Sequence, residues 1–263
     1  PPLDAIREEP VTSVETFIGP ERNLFEETPE HCQQLKLKEP ILTNREMGMV
    51  RSINLGALKA KTLSTLFTPQ TGPGELRLAL ERILDQSYKA VNEGYSILIL
   101  SDRGVDMDHA PIPSLLATAS VHHHLVKKGV RTKTGLIVES GEPREVAHFA
   151  LLFGFGAGAI NPYLALETLE NSTSQELSQT QVDRQTSEQN YINAVHKGVV
   201  KVMSKMGIST LQSYRGAQIF EAVGLNKEFV DRYFTWTSTR IGGIGIEEIE
   251  KESLHRHALG FKS

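Results

Sequence analysis

From about residue 62 the chain alternates between short apolar runs and amphipathic stretches. Leu76, Leu80 and Ile83 recur at the spacing of one helix face. The run 96–101 is continuously apolar between two serines, which is typical of a strand covered on both faces. Read along the chain, the pattern predicts strands at 62–67, 96–101, 134–139, 158–160 and 208–213. It predicts helices at 76–91, 111–126, 143–153, 191–206, 217–223, 226–233 and 247–257, with another helix beginning at 162.

This alternation predicts an α/β fold built from parallel βαβ units. A complete eight-stranded barrel needs about 250 residues and three more strands than the five found here. We therefore expect a partial or irregular TIM-barrel-like domain, with an open doubly wound sheet as the alternative.

Two segments depart from the alternation. Residues 1–40 are punctuated by six prolines and show no regular period, so we predict an arm that lies over the domain 41–263. Residues 171–190 are rich in Ser, Thr and Gln, and we predict a polar, exposed excursion there.

Composition narrows the class of protein. The chain has 263 residues and a net charge of -4, which does not favour a nucleic-acid or membrane surface. No apolar run reaches the roughly 18 residues of a membrane span. The single cysteine, Cys32, excludes an internal disulfide and a thiolate-rich metal site, so we expect a reducing, cytoplasmic compartment. Because the chain opens on Pro1 rather than Met, we expect a piece of a longer polypeptide.

Polar residues follow the predicted strands. Since parallel strands end at one edge of a sheet, these residues would form a ring where α/β folds place their chemistry. In a stand-alone enzyme, an arginine of this ring would bind a small anion and an acid would serve as base. Alternatively, the same residues cap helices and satisfy strand carbonyls. The ring consists of Asp102, Arg103, Glu139, Asn161, Tyr214 and Arg215.

Three consecutive histidines, 122–124, are a further candidate for chemistry. On a helix their side chains fan out by about 100° per residue, so the three cannot chelate one ion. We predict that His122 is half-buried and that His123 and His124 are solvated. We expect no metal site in this chain.

Several longer motifs, in order along nearly the whole chain, resemble the central domain of glutamate synthase. The strongest resemblance lies in 201–225, which reads KVMSKMGISTLQSYRGAQIFEAVGL. The other matching motifs lie at 1–9, 17–20, 26–31, 40–44, 100–103, 111–116, 121–124, 159–165, 233–235 and 243–248.

This resemblance implies a place in an enzyme that makes glutamate from glutamine and 2-oxoglutarate. In that family an amidotransferase domain releases ammonia, and a domain with FMN and an iron–sulfur cluster uses it. The central domain joins the two and has an α/β fold related to the flavin barrel. The resemblance therefore implies neighbouring domains as partners and no catalytic or cofactor-binding residue in this chain. It leaves open whether an NAD(P)H-dependent small subunit or ferredoxin supplies electrons, and it allows a plastid location.

The resemblance also implies that this domain lines part of an ammonia tunnel. The arm lies closest in sequence to the amidotransferase, so Thr12, Thr16 and Arg22 are the candidates for lining that route. Two alternatives remain: these residues merely anchor the arm, or the domain is a scaffold without any ammonia path.

Overall fold

The structure is a computed structural model that describes residues 1–69, 73–174 and 183–261. Its strands are β1 Thr16–Ile18, β2 Leu35–Leu37, β3 Asn54–Leu55, β4 Leu58–Ser64, β5 Leu66–Phe67, β6 Ile97–Ser101, β7 Ala110–Pro111, β8 Gly135–Glu139, β9 Ala159–Asn161, β10 Glu221–Leu225 and β11 Ser238–Ile244. Its α-helices are α1 Glu8–Val11, α2 Asn44–Arg51, α3 Glu75–Asn92, α4 Ser114–Lys127, α5 Val146–Gly154, α6 Tyr163–Ser174, α7 Arg184–Lys205, α8 Leu211–Tyr214, α9 Lys227–Tyr233 and α10 Ile246–Gly260. Short 3₁₀ turns cover Pro29–Cys32 and Arg131–Lys133.

The main sheet has the strand order β3-β4-β6-β8-β9, in which the last four strands are parallel and β3 is antiparallel to β4. Spatial order thus follows chain order, as in a barrel and unlike a doubly wound sheet. Beyond β9, the segment 40–42 continues the sheet, since the Ile160 N–H donates to the Pro40 carbonyl at 2.8 Å.

The helices α3, α4, α5 and α7 cover one face of this sheet. Leu98, Leu100 and Leu136 point into that layer and pack with α3 and α4. Val138 and Ile160 pack with α5 and α7. Alternate residues of the same strands point to the opposite face, which explains why β6 and β8 are apolar throughout.

Helix α2 and the arm fill the opposite face. Met47 and Val50 of α2 pack on Ile97 and Ile99, together with Ile18 from β1. Four parallel strands in barrel order, with helices outside and one helix plugging the inside, make a half-barrel. The predicted partial TIM-barrel-like α/β fold is therefore confirmed.

One predicted strand and one predicted helix were wrong. Residues 208–213 form an irregular stretch with one bridge from Thr210 to Ser13, followed by the start of α8, and 221–225 form β10 where a helix was predicted at 217–223. The reason is local: Leu211 and Tyr214 are both buried at i,i+3 spacing, and the Thr210 hydroxyl accepts the Ser213 N–H at 3.3 Å as an N-cap.

The predicted polar excursion is largely helical where the structure describes it. Helix α6 extends to Ser174 and α7 begins at Arg184, behind an Asp183 cap that accepts the Thr186 N–H at 3.0 Å. Residues 175–182 of the excursion lie outside the described residues.

The last third of the chain packs on the half-barrel. Phe229, Val230 and Tyr233 of α9 enter the core layer formed with α3 and α4. From α10, the buried Glu250 carboxylate accepts the backbone N–H groups of Gly74 and Glu75 at 3.0 and 3.1 Å, which caps α3. In the part of the chain that is described, no helix combines the length and apolar character of a membrane span.

Candidate functional site

Four of the six predicted strand-end residues meet at the carboxyl edge of the half-barrel. Glu139 ends β8 beside Ser101 of β6 and Asn161 of β9, with which it is in register. Asp102 and Arg103 follow β6 directly. We call Asp102, Arg103, Glu139, Asn161 and their hydrogen-bonded neighbours the edge cluster.

Glu139 is the centre of the edge cluster. Its side chain is 1% exposed, and its carboxylate accepts hydrogen bonds from Ser101 Oγ at 2.5 Å, Arg103 Nε at 2.9 Å and Arg51 Nη2 at 2.5 Å. A buried carboxylate needs this compensation, because an unpaired one would cost several kcal/mol. Both oxygens of Glu139 are therefore engaged by the protein itself.

Arg103 links Glu139 to the next helix. Its guanidinium lies 4.2 Å from the centre of the Tyr163 ring, donates to Glu167 Oε1 at 3.0 Å and to Asn44 Oδ1 at 3.3 Å. Burial opposes its charge, but the hydrogen bonds to Glu167 and Glu139 outweigh burial and raise the pKa of Arg103. The Arg103 guanidinium is thus fixed by three hydrogen-bond acceptors and one aromatic ring.

Asp102 is buried next to this group and faces the following loop. Ser140 Oγ donates to Asp102 Oδ2 at 2.5 Å, and the Gly141 N–H donates to Oδ1 at 3.1 Å. Burial raises the pKa of Asp102, while the hydrogen bonds from Ser140 and Tyr163 partly offset that rise. Asp102 therefore fixes the β8–α5 loop to the end of β6.

Asn161 completes the edge cluster. Its Nδ2 donates to the Leu42 carbonyl at 2.9 Å and to Asn44 Oδ1 at 3.0 Å, which joins β9 to the start of α2. Its Oδ1 is buried without a hydrogen-bond partner among the described residues.

Tyr214 and Arg215 lie outside the edge cluster, so this part of the predicted ring was wrong. Tyr214 is fully buried on α8, and its hydroxyl donates to the Ala150 carbonyl at 3.0 Å. Arg215 lies at the amino end of β9, since a Cβ built on Gly158 would lie 3.4 Å from its Nη1. Tyr214 and Arg215 do not join the ring because the strand predicted at 208–213 does not form.

Four members of the edge cluster escaped prediction. Tyr163 and Glu167 stand at i,i+4 directly after β9, and this spacing was a usable signal. Asn44 is separated by 117 residues from its partner Asn161, and Arg51 by 88 residues from Glu139. No local pattern could have linked them.

The three arm candidates occupy different surroundings. The hydroxyls of Thr12 and Thr16 are buried and have no hydrogen-bond partner in the described part of the chain. Arg22 is exposed and lines a concavity of about 850 Å³ at the amino edge of the sheet. Neither threonine lines this concavity.

Two large cavities lie on the surface, one at the amino edge and one beside Gly141, whose N–H donates to Asp102 of the edge cluster. The concavity just described is one, and a cleft of about 530 Å³ between α4, the β8–α5 loop and α10 is the other. Neither is lined by Asp102, Arg103, Glu139 or Asn161. In the described ranges, no group of three His, Cys, Asp or Glu side chains is arranged to hold a metal ion.

The three histidines lie half-buried on α4 rather than in solvent. Arg131 Nε donates to His122 Nδ1 at 3.0 Å, and burial lowers the pKa of His122 to about 2. Burial lowers the pKa of His123 to about 4 and also lowers that of His124. The prediction that His123 and His124 are solvated was wrong, because the turn before β11 lies beside His123 and Tyr88 of α3 packs edge-on against the His124 ring, with 6.3 Å between ring centres.

Comparison of the sequence with known proteins matches one family. A family model described as "Glutamate synthase central domain" matches residues 1–226. The chain is 45% identical to the NADPH glutamate synthase large chain of Bacillus subtilis (strain 168) over 100% of its own length and 17% of that protein. It is 40% identical to the NADH glutamate synthase of Schizosaccharomyces pombe over 99% of its length and 12% of that protein.

A weaker structural likeness is to a solved flavoprotein. The recombinant flavin-binding domain of baker's yeast flavocytochrome b2 is 15% identical, with a TM-score of 0.41 over 51% of this chain and 31% of that chain. The chain spans less than a fifth of the length of the glutamate synthases named above. On the family match and on identities of 40–45% along its whole length, the chain belongs to the glutamate synthase central domain family.

Proposed function

We propose that this chain is the non-catalytic central module of a glutamate synthase, holding an amidotransferase domain and an FMN domain at fixed separation. The edge cluster carries this proposal. At the edge where a barrel enzyme exposes its reactive groups, Glu139 and Asp102 are each engaged by three internal donors. A general base must also be reachable by its substrate, and at 1% and 3% exposure Glu139 and Asp102 form a structural lock instead.

The packing of the arm supports a rigid spacer. The Leu3 N–H donates to the Ser204 carbonyl at 2.9 Å and the Ser13 N–H to the Ser209 carbonyl at 2.8 Å. Further along, the Glu21 N–H donates to the Thr132 carbonyl at 2.7 Å. An arm bound at three points along its length transmits position between neighbouring domains, as a loose linker does not.

The finer proposal is that the arm borders the route of ammonia. Ammonia reacts only in its unprotonated form, so its path must exclude bulk water and acidic groups. The buried, unpartnered hydroxyls of Thr12 and Thr16 are uncharged and can hydrogen-bond a passing ammonia molecule. Arg22 lines the amino-edge concavity and is a separate candidate for bordering the route.

The cofactors and electron donors belong to the rest of the parent enzyme in this proposal. An iron–sulfur cluster needs several thiolates, and this chain has one cysteine, the exposed Cys32. FMN and the cluster are therefore assigned to other domains. The relatives are named for NADPH, NADH and ferredoxin, so the donor remains open between them.

The test uses the full-length enzyme. Thr12→Phe and Thr16→Leu should raise the ratio of glutamine hydrolysed to glutamate formed, because ammonia then escapes before it is used. Phe17→Leu is the matched control, since Phe17 is the half-exposed neighbour of Thr16 on the other side of β1. Unchanged ratios in both threonine variants would contradict an ammonia route along the arm. A flavin bound at one per chain by the isolated polypeptide would contradict the non-catalytic module.

A further inference from the structure

Among the residues that the structure describes, the two most exposed large apolar side chains sit together on one turn. Leu24 is 93% exposed and Phe25 is 97% exposed, and they are adjacent. Single exposed apolar residues are common on protein surfaces, but an exposed Leu-Phe pair on a fixed turn is not explained by the fold.

Hydrogen bonds hold this turn in shape. The Asn23 side chain accepts the Phe25 N–H at 3.1 Å and donates to Glu26 Oε1 at 3.0 Å. His31 Nε2 donates to the Asn23 carbonyl at 2.9 Å, and His31 Nδ1 accepts the Thr28 N–H at 3.3 Å. The turn is thus closed across eight residues, so presenting Leu24 and Phe25 costs little additional ordering on binding.

Negative charge surrounds the apolar pair. Between residues 21 and 32 the chain has four glutamates and one arginine, which gives a net charge of -3 with histidine neutral. The turn also forms one wall of the amino-edge concavity, whose other wall carries Lys59 and Lys133. The four glutamates therefore belong to the same segment, 21–32, that presents Leu24 and Phe25.

We propose that Leu24 and Phe25 form an anchor that inserts into an apolar pocket with a basic rim on another domain of the parent glutamate synthase. This inference rests on the proposed function and names the surface through which the module is held. An acidic rim repels anionic lipid headgroups, which argues against a membrane. A second copy docking by two-fold symmetry would bring two acidic turns together, which argues against a dimer contact.

The amino edge of the half-barrel is thus the docking side, opposite the edge cluster. A domain seated there covers the concavity and contacts the arm at Glu21 and Arg22. Large apolar anchors in the centre with charges at the rim are the usual arrangement of a specific interface.

The test is photo-cross-linking in the intact full-length enzyme with Phe25→p-benzoylphenylalanine. We expect a cross-link within the same polypeptide, to a peptide outside this domain that carries Lys or Arg beside apolar residues. Leu78→p-benzoylphenylalanine is the matched control, since Leu78 is an exposed apolar residue on α3 without a closed turn around it, and it should give background yield.

The contribution of the acidic side chains is tested with the same photo-cross-linking probe at position 25. Glu27→Lys should lower the cross-link yield several-fold and Glu27→Gln should lower it less, because Glu27 is an exposed member of the acidic rim. A cross-link between two enzyme molecules, or equal yields at positions 25 and 78, would overturn the proposal. The coupling ratio of the threonine variants is an independent readout, so the anchor and the ammonia route can fail separately.

Discussion

At the scale of the residue, the fold contains ion pairs between side chains that lie far apart in sequence. His196 of α7 and Glu39 of the arm form one such pair, with 2.7 Å between Nδ1 and Oε2. Arg51 and Glu139 form another, across 88 residues. Pairs of this kind tie the arm and α2 to the half-barrel.

The His196–Glu39 pair predicts a pH dependence. The hydrogen bond that His196 donates to Glu39 raises the pKa of His196 above its ordinary value of about 6.5. Its stabilisation is therefore complete below that value and is lost as pH rises through the raised pKa of the folded state. The pair is about one-third exposed, so we expect less than about 1 kcal/mol. Urea unfolding from acid to alkaline pH should show this loss in the wild type and not in His196→Gln.

The edge cluster predicts a larger effect at one residue. Glu139→Gln keeps the shape but leaves Arg51 and Arg103 without their shared carboxylate. Because both arginines are partly exposed, we expect a loss of about 2–3 kcal/mol in the free energy of unfolding, below the range for fully buried pairs. Glu167→Gln, which affects only the half-exposed end of Arg103, is the control and should cost under about 1 kcal/mol. Equal losses in the two variants would contradict a central role for Glu139.

At the scale of the element, the arm completes the core through Ile18. A Cβ added to Gly135 would lie 2.5 Å from Ile18 Cγ2, and one added to Gly158 would lie 2.4 Å from Ile18 Cδ1. The first residue of β8 and the residue before β9 are therefore glycines because the arm passes directly over them. Glycine here serves close approach rather than a special turn.

Gly135→Ala should destabilise the protein by about 1–3 kcal/mol, because Ile18 has to move out of a packed site. In an Ile18→Ala background, which lacks the clashing Cγ2, Gly135→Ala should cost less than in the wild type. Gly48→Ala is the matched control: Gly48 lies in α2 with nothing near its added Cβ, so helix propensity should make that variant about 0.5–1 kcal/mol more stable. Thermal unfolding of these variants measures the expected loss of stability at Gly135 and the expected gain at Gly48. An unchanged stability of Gly135→Ala would mean that the arm does not pack on β8.

At the scale of the whole molecule, the two ends of the chain close on the half-barrel. The arm covers its amino edge and inner face, and α10 returns to cap α3 through Glu250. The family match ends at residue 226, yet α9 contributes Phe229 and Val230 to the same core. The chain is therefore a single packed body over the described residues, as the proposed role of a spacer requires.

Removing the Glu250 cap tests this closure. Glu250→Gln retains one oxygen for Gly74 and Glu75 but removes the negative charge at the start of α3, so we expect about 1–2 kcal/mol lower stability. The exposed Glu252→Gln on the same helix is the control and should be neutral. Hydrogen exchange should become faster in the first turn of α3, and unchanged exchange there would show that the cap does not fix this end.

The sequence by itself determined the repeating part of the fold. The apolar runs of β6 and β8 and the spaced leucines of α3 are local signals, and they predicted parallel βαβ units, with a partial barrel favoured over a doubly wound sheet. They also brought Asp102, Arg103, Glu139 and Asn161 to one edge, because parallel strands all end on the same side.

Tertiary structure alone decided the rest. Leu211 and Tyr214 became helical because their burial and the Thr210 cap outweighed a strand-like run. Arg51 and Ile18 reach their sites by chain paths with no local signature. Whether a polar edge is an open site or a closed lock depends on how many donors reach each carboxylate, and only the assembled fold sets that number.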